Sequence, residues 1–386
     1  MNVWASLEAS RSAAGLARQV AAGEIAHAWL LLGPAGSGKR TTAVAIAASL
    51  NCSVEPGVGC GECSSCARIQ RGRHPDVHHV IPEGPIIPVD IIREIIIPEA
   101  SRSPFEGRFK VFIIEEADRM NESAQNALLK TLEEPQPDTV FVLVSDNEEE
   151  VLDTIRSRCR IVRLEPVSEG RILQLLVEAG VSDDRALLAA RLSEGDFERA
   201  HALGTDQQVA ERRDFWISLP KQLHSPLAAL DAAAEIVDVA RSVVKEREQT
   251  QKQEVVELAE AMGEGRGTAT ARSTLAKRHK RELRRLEEEV LGEALSSIAS
   301  FYRDVLTVRS GGTEAASNID LLNEIEWWAS GGVEDRNLVS AMERCVEARA
   351  GLIRNANVVL AIEATLIELS ALVPPPAGVG AGTQPA

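Results

Sequence analysis

The stretch Gly33-Pro-Ala-Gly-Ser-Gly-Lys39 follows the apolar run Ala28-Trp-Leu-Leu-Leu32 and precedes a helical pattern. A phosphate-binding loop requires this context of strand, glycine-rich turn and helix. Gly36 and Gly38 let successive backbone N–H groups point at a phosphate at the start of the helix, and Lys39 would neutralise its charge. A glycine-rich turn without a ligand is the simpler alternative. The pattern favours a P-loop with ATP as candidate ligand, bound through Gly33, Gly36, Gly38 and Lys39.

The residues that would handle magnesium depart from the pattern of an active ATPase. The position after the P-loop lysine should offer a Ser or Thr hydroxyl, but it holds Arg40, and a guanidinium cannot ligate a cation. Thr41 comes one residue later, about 100° further round the helix, so its hydroxyl should point away from the metal. The next acidic strand end carries Glu115-Glu116, where P-loop ATPases of this type place Asp and then Glu. A solvated acidic strand end is the plainer interpretation.

Glu115 has one methylene more than the expected aspartate, yet it could still help to hold a hydrated Mg²⁺. Glu116 could still orient an attacking water. We therefore expect weakened hydrolysis rather than none, with Glu116 as a vestigial catalytic residue and Arg40, Thr41 and Glu115 lining the altered site.

Apolar strands alternate with helical stretches through the first half of the chain, which is typical of a parallel sheet covered by helices. The predicted strands are residues 28–32, 77–81, 110–114, 140–144 and 161–164. The predicted helices between them are residues 41–50, 89–100, 123–132 and 150–156. We thus predict an α/β P-loop domain over residues 1–166.

Helical patterns alone follow this domain. Three short helices over residues 167–206 predict a small lid, and longer amphipathic helices over residues 207–373 predict an all-α domain. The glycine-rich and basic stretch 263–285 is expected to form a mobile loop. Residues 374–386 are rich in Pro, Gly and Ala and are expected to be disordered.

Four of the six cysteines fall within a short segment, with the spacing Cys52-x₇-Cys60-x₂-Cys63-x₂-Cys66. Four thiolates suit a tetrahedral, structural Zn²⁺ site, and the intervening glycines allow tight turns. Four separate buried thiols and an iron–sulfur cluster are the alternatives. Three nearby histidines exceed a full ligand shell and are interpreted as ordinary surface or core residues: His74, His78 and His79. Cys159 and Cys345 stand apart.

Composition narrows the class of protein further. The chain has 386 residues, and 42 basic against 58 acidic residues give a net charge of -16. The chain as a whole therefore lacks the net positive charge that would attract nucleic acid, although a local basic face is compatible with this balance. Proteins are the expected partners. Neither an apolar stretch that could span a bilayer nor a signal-peptide pattern is evident, so we expect a cytoplasmic protein without membrane partners.

Three stretches together resemble the bacterial replicative clamp loaders, which are AAA+ assemblies. These are the cysteine insertion after the P-loop helix, Asn126-Ala-Leu-Leu-Lys-Thr-Leu-Glu-Glu-Pro135, and Ser157-Arg158-Cys159. The resemblance is close from Ala26 to Pro166 and looser through the lid. It reaches the last helix, where Asn355-Ala-Asn357 and Leu360-Ala-Ile-Glu363 are similar to the end of the family's collar.

The resemblance implies roles for three further residues. Arg158 would be the arginine finger that reaches the γ-phosphate of ATP bound by a neighbouring subunit, acting in trans. Ser145 would occupy the first sensor position at a strand end. Arg199, within Gly195-Asp-Phe-Glu-Arg199, would occupy the position of a second phosphate-sensing arginine in the lid.

Arg40 and Glu115 distinguish between the subunit types of such a loader, because motor subunits keep the magnesium hydroxyl and the aspartate. The chain therefore resembles the delta-prime type, and the basic insertion is similar to that of actinobacterial delta-prime proteins. This implies little intrinsic ATPase within a DNA polymerase holoenzyme. Expected partners are motor and delta subunits in a hetero-pentamer, the sliding clamp and primed DNA. A gamma/tau-type motor ATPase and a zinc-dependent DNA-binding regulator are the alternatives.

Overall fold

The computed structural model describes residues 2–7, 10–82, 86–262, 266–353 and 357–376. The chain forms two compact units, Met1–Asp206 and Gln207–Ala386. Within the described ranges, every helix is too short or too polar to cross a membrane.

The first unit is built on five parallel strands, which confirms the predicted fold class. The strands are β1 (Ala28–Leu32), β2 (Val77–Val80), β3 (Lys110–Ile114), β4 (Thr139–Ser145) and β5 (Arg160–Arg163), in the spatial order β2-β3-β4-β1-β5. The three central strands are buried along their whole length, as apolar strands covered by helices on both faces should be. The two edge strands are partly exposed.

The register of this sheet brings the candidate residues to one edge. Leu32 pairs with Ser145, and Ile114 pairs with both Val80 and Leu143. The P-loop follows β1, the two glutamates follow β3, and Ser145 ends β4. They therefore meet where the strands end, which is the ligand-binding edge of open α/β sheets.

Helices cover both faces of the sheet and continue into the lid. They are α1 (Arg11–Ala21), α2 (Lys39–Asn51), α3 (Ser64–Gln70), α4 (Ile97–Ala100), α5 (Glu122–Glu133), α6 (Asp153–Arg156), α7 (Glu169–Glu178), α8 (Asp183–Leu192) and α9 (Phe197–Thr205). A π-helical turn, Ile91–Ile96, leads into α4. The sheet separates two apolar cores. One packs α1 and α2 around Trp29 and Ile46, and the other packs α5 around Leu128 and Phe141.

The second unit is entirely helical in its described residues. Its helices are α10 (Gln207–Ser218), α11 (Pro226–Met262), α12 (Arg266–Arg309), α13 (Leu322–Ala329), α14 (Asp335–Ile353) and α15 (Val358–Leu372). One core joins them, with Trp216, Phe301, Tyr302 and Trp328 among its fully buried side chains.

The expected loop at residues 263–285 differs from the structure. Residues 266–285 belong to α12, and within the expected loop only residues 263–265 lie outside the described chain. The physical reason is composition, because Ala, Arg, Lys, Leu and Glu dominate this stretch and are strong helix formers. Arg284 and Arg285 also pair with glutamates four residues later, each at 3.0 Å. Residues 355, 356 and 377–386, on which other expectations fall, lie outside the described chain.

Candidate functional site

The P-loop has the tight backbone that its glycines allow. Gly36 and Gly38 have φ values of 79° and 77°, in the left-handed region that side-chain-bearing residues avoid. A Cβ on Gly33 would lie 2.2 Å from the carbonyl oxygen of Leu164, so only glycine fits. The loop ends at Lys39, which begins α2.

Lys39 is folded back over the loop and is only 6% exposed. Its Nζ donates to the carbonyl of Pro34 at 2.5 Å and lies 3.0 Å from Asp146 Oδ1. The carboxylate of Asp146 is 57% exposed. Because solvent screens the carboxylate side of this pair, the ammonium group can exchange the carboxylate for a phosphate at small cost.

A compact charged cluster stands where the magnesium residues were expected. Arg40 Nε lies 2.9 Å from Glu115 Oε1, and His79 Nε2 lies 2.6 Å from the same oxygen. The Glu115 side chain is 4% exposed, whereas that of Arg40 is 54% exposed. Glu115 therefore faces two nitrogen groups of its own chain.

The second glutamate is directed elsewhere. Glu116 has a φ of 50°, an uncommon value for a non-glycine residue, and its carboxylate accepts a hydrogen bond from Arg119 Nη1. This contact holds Glu116 beside the short 3₁₀ turn that follows β3.

The lid touches the P-loop through α9. Thr41 Oγ1 donates to Glu198 Oε1 at 2.6 Å, so the hydroxyl binds the lid. Asp196 caps α9 by accepting the N–H of Arg199, and its Cβ lies 2.7 Å from where a Cβ on Gly36 would be. The Arg199 side chain is exposed at this end of the lid.

Ser145 is buried, and its hydroxyl is engaged in the turn after β4. It donates to the carbonyl of Asn147 at 2.8 Å and accepts the N–H of Asn147 at 3.1 Å. These bonds fix the turn that carries Asp146. Ser145 thus positions the partner of Lys39.

Arg158 lies at the opposite edge of the sheet from the P-loop. It lies two residues before β5, at the edge where the strands begin, while the P-loop follows the end of β1. Arg160 pairs with Trp29 near the start of β1. Four strand residues span about 13 Å, so Arg158 is too far to serve its own P-loop. Its Nη1 donates to the carbonyl of Thr154 at 2.8 Å, and Nη2 binds Glu133. The Arg158 side chain is 32% exposed.

The four clustered cysteines converge on one point. Their sulfur atoms all lie within 4.8 Å of one another, and Cys52 Sγ lies 3.6 Å from Cys60 Sγ and 3.8 Å from Cys63 Sγ. A tetrahedral ion with Zn–S bonds of about 2.3 Å requires sulfurs about 3.8 Å apart. The donor set and its spacing therefore fit a metal ion.

Backbone N–H groups point at these sulfurs. Burial opposes ionisation of the Cys63 thiol, but hydrogen bonds from the N–H of Cys66 and from Ser53 outweigh it and lower its pKa to about 5. Burial raises the pKa of the Cys66 thiol. The buried His74 lies outside the sulfur cluster and bonds to Ser65, and burial lowers the pKa of its imidazole.

Sequence patterns did not single out several of these residues. Asp146 was not named, and Glu133, Asp196 and Glu198 appeared only inside quoted motifs without a role, because an acidic residue in a loop or on a helix has no chemical signature of its own. Asp146 could have been noticed, since it directly follows β4 and the predicted sensor residue Ser145. His79 was dismissed as an ordinary residue, and only the pairing of β2 with β3 brings it to Glu115.

Comparison with known proteins gives matches to one group of proteins. Residues 9–168 match the family model described as DNA polymerase III, delta subunit. The delta' subunit of Bacillus subtilis is 37% identical over 200 residues, covering 52% of this chain and 60% of that protein. The delta' subunit of Pseudomonas aeruginosa is 45% identical over 137 residues, covering 35% and 42%.

Gamma subunits match as well. The gamma subunit of Buchnera aphidicola subsp. Schizaphis graminum is 40% identical over 155 residues, covering 40% of this chain and 42% of that protein. The chain thus spans about two fifths to three fifths of the length of these relatives. Residues 9–168 of this chain are therefore similar to DNA polymerase III subunits of both the delta' and the gamma type.

Proposed function

We propose that this chain is the delta-prime subunit of a DNA polymerase III clamp loader and supplies Arg158 in trans to a neighbouring ATPase. Its partners are motor and delta subunits in a hetero-pentamer that loads the sliding clamp onto primed DNA. The α/β domain and lid of residues 1–206 would face the clamp and DNA. The helices of residues 207–373 would form the collar.

One observation carries this proposal. Arg158 stands at the strand-start edge of the sheet, partly exposed, while the P-loop of the same chain stands at the strand-end edge. An arginine there can act only on a phosphate that another molecule brings. The ion pair of Arg40 and Glu115 adds support, because it fills the position where a working ATPase needs a hydroxyl and an aspartate.

The decisive experiment measures ATP turnover in the complete complex. The full chain is reconstituted with gamma/tau-type and delta-type subunits, and DNA-stimulated ATPase is compared for the wild type and Arg158→Ala. Assembly by size-exclusion chromatography should be unchanged. Turnover should fall by at least about tenfold, since an arginine finger stabilises the charge of the transition state.

Arg163→Ala is the matched control. Arg163 is an arginine of the same segment, is 63% exposed and pairs with Glu148, so its loss should leave turnover unchanged. Equal turnover in the wild type and Arg158→Ala would rule out the finger.

The cysteine cluster is proposed to hold a structural Zn²⁺ through Cys52, Cys60, Cys63 and Cys66. When bound, the ion would cross-link α2, α3 and the segment between them. Elemental analysis should find one zinc per chain, and Cys60→Ser with Cys63→Ser should abolish it. Cys159→Ser, outside the cluster, is the control and should retain the zinc.

A gamma/tau-type motor is the second candidate, because the similarity to gamma subunits is comparable and the P-loop keeps Lys39. The two candidates differ in what the isolated chain does. Mg²⁺-dependent hydrolysis of ATP by the purified chain, abolished by Lys39→Ala, would favour the motor. Negligible hydrolysis favours delta-prime.

A further inference from the structure

The clamp-loader fold implies a magnesium ion beside the nucleotide, but the donors at that position do not fit one. Mg²⁺ demands about six oxygen ligands at about 2.1 Å in an octahedron. Here the acidic side chain at the start of the P-loop helix is that of Glu115, and its Oε1 already faces Arg40 Nε and His79 Nε2 within 3 Å. A divalent cation would have to displace both and then sit beside a guanidinium.

The same arrangement supplies a cation of its own. Arg40 follows Lys39 in the first turn of α2, so its positive charge lies next to the P-loop. Glu115 Oε1 forms an ion pair with Arg40 at Nε, and a guanidinium carries five N–H donors in all. The side chain is 54% exposed, so it is accessible from solvent, and guanidinium groups bind phosphates well.

Glu115 gives this cation its position. The carboxylate is nearly fully buried at the end of β3 and approaches the guanidinium at 2.9 Å, which limits the freedom of the long arginine side chain. The additional methylene of Glu relative to Asp lets the carboxylate extend toward Arg40. The two departures from the ATPase pattern are therefore coupled: each substitution explains the other.

The remaining parts of a nucleotide site are present. The left-handed glycines shape the loop, and Lys39 contacts an exposed carboxylate that a phosphate can replace. An apolar cavity opens nearby, lined by Trp4, Leu7 and the helix α1, and Leu7 Cδ2 lies 3.0 Å from where a Cβ on Gly38 would be. A purine base suits such a cavity.

We propose that this P-loop binds an adenine nucleotide without a divalent cation, with the Arg40 guanidinium held by Glu115 in the cation's place. The inference rests on the P-loop assignment within the proposed function and adds a ligand class and a metal requirement. Such a site holds its nucleotide as a fixed structural part, since the groups that would activate a water are turned away.

Isothermal titration calorimetry on the full-length chain tests this with ADP and ATP as probes. Each is titrated in buffer with Mg²⁺ and in buffer with EDTA. The dissociation constants in the two buffers should agree within about twofold, which is less than 0.5 kcal/mol.

The double variant Arg40→Thr with Glu115→Asp restores the expected metal hydroxyl and aspartate. Its affinity in EDTA should fall at least about tenfold below its affinity with Mg²⁺, about 1.4 kcal/mol. Arg102→Ala, which removes an exposed arginine of the same unit, should behave as the wild type does. Circular dichroism of each variant checks that it is folded.

Three results would overturn the proposal: no binding in either buffer, wild-type binding only with Mg²⁺, or a folded double variant that still binds equally in both buffers. None of them affects the Arg158 experiment, which measures turnover of a neighbour's ATP. Failure of this inference and failure of the proposed function are therefore separable.

Discussion

Two arginine–glutamate pairs lie at opposite edges of the same sheet, and they differ in the burial of the acid. Glu115, the partner of Arg40, is 4% exposed, whereas Glu133, the partner of Arg158, is 46% exposed. A buried carboxylate that loses its cation remains desolvated and uncompensated. An exposed carboxylate is simply rehydrated.

This difference separates a permanent contact from a temporary one. Arg40 is held where it stands, so its edge of the sheet is closed to a metal ion. Arg158 is held only weakly, so it can leave Glu133 for a stronger anion such as a phosphate. The same combination of arginine and glutamate thus serves two opposite purposes, and burial of the acid decides between them.

The largest effect on stability is expected at the buried pair. Arg40→Leu should lower the free energy of unfolding by about 2 kcal/mol, less than a fully buried pair would lose, because Arg40 itself is half-exposed. Urea denaturation of the purified chain measures this. Unchanged stability would mean that His79 alone balances the buried charge of Glu115. The two arginine–glutamate pairs would then not differ in the way that burial predicts.

A second buried acid, Asp76, sharpens the comparison because backbone N–H groups stabilise it. Asp76 accepts the N–H groups of Phe105, Glu106 and Gly107 at 2.5, 2.9 and 2.7 Å. Burial opposes its ionisation, but these bonds outweigh burial and lower the pKa of Asp76. Asp76→Asn should cost about 1–2 kcal/mol at neutral pH, since amide N–H groups replace one set of acceptors.

The pH dependence of this difference has a definite sign. A lowered native pKa stabilises the protein above the unfolded carboxyl pKa of about 3.9, and that stability is lost as the pH falls through the native value. Urea midpoints of wild type and Asp76→Asn should therefore differ by a constant amount above about pH 5 and converge below about pH 4. A gap that persists in acid would contradict the role of the charge.

The smallest effect is expected at the exposed pair. Glu133→Gln should change the free energy of unfolding by less than about 0.5 kcal/mol, because an exposed ion pair contributes little. Arg158→Ala should be equally mild in the isolated chain. A loss of 2 kcal/mol in either variant would show that this pair, like the buried one, is structural.

Much of the fold could be predicted from the sequence because apolar strands and glycine-rich turns are local signals. Strands 28–32 and 110–114 have their predicted bounds, and the four cysteines converge as their spacing indicated. The helix over residues 266–285 was missed because its flanking glycines and dense basic charge resemble a loop, while the acidic partners of Arg284 and Arg285 lie one turn later, beyond the stretch.

The candidate site was predictable only in part, since contacts between distant segments leave no local pattern. Arg40 and Glu115 were each recognised as departures, but nothing in the sequence shows that they bind one another across 75 positions. The same holds for Thr41 and Glu198, which meet through the lid. Arg40 and Glu115 each look like a defect in the sequence, and only the tertiary structure shows that they form one ion pair.

The long helices α11 and α12 have a consequence for how this protein can vary. Among described side chains, the core of the second unit uses α11 only up to Val243 and α12 only from Leu286, so the distal stretch between them adds no member to it. Seven residues, close to two turns, added to each helix would lengthen that stretch by about 10 Å while keeping the same faces paired. The length of this distal stretch can therefore change during evolution without altering the packed core that stabilises the second unit.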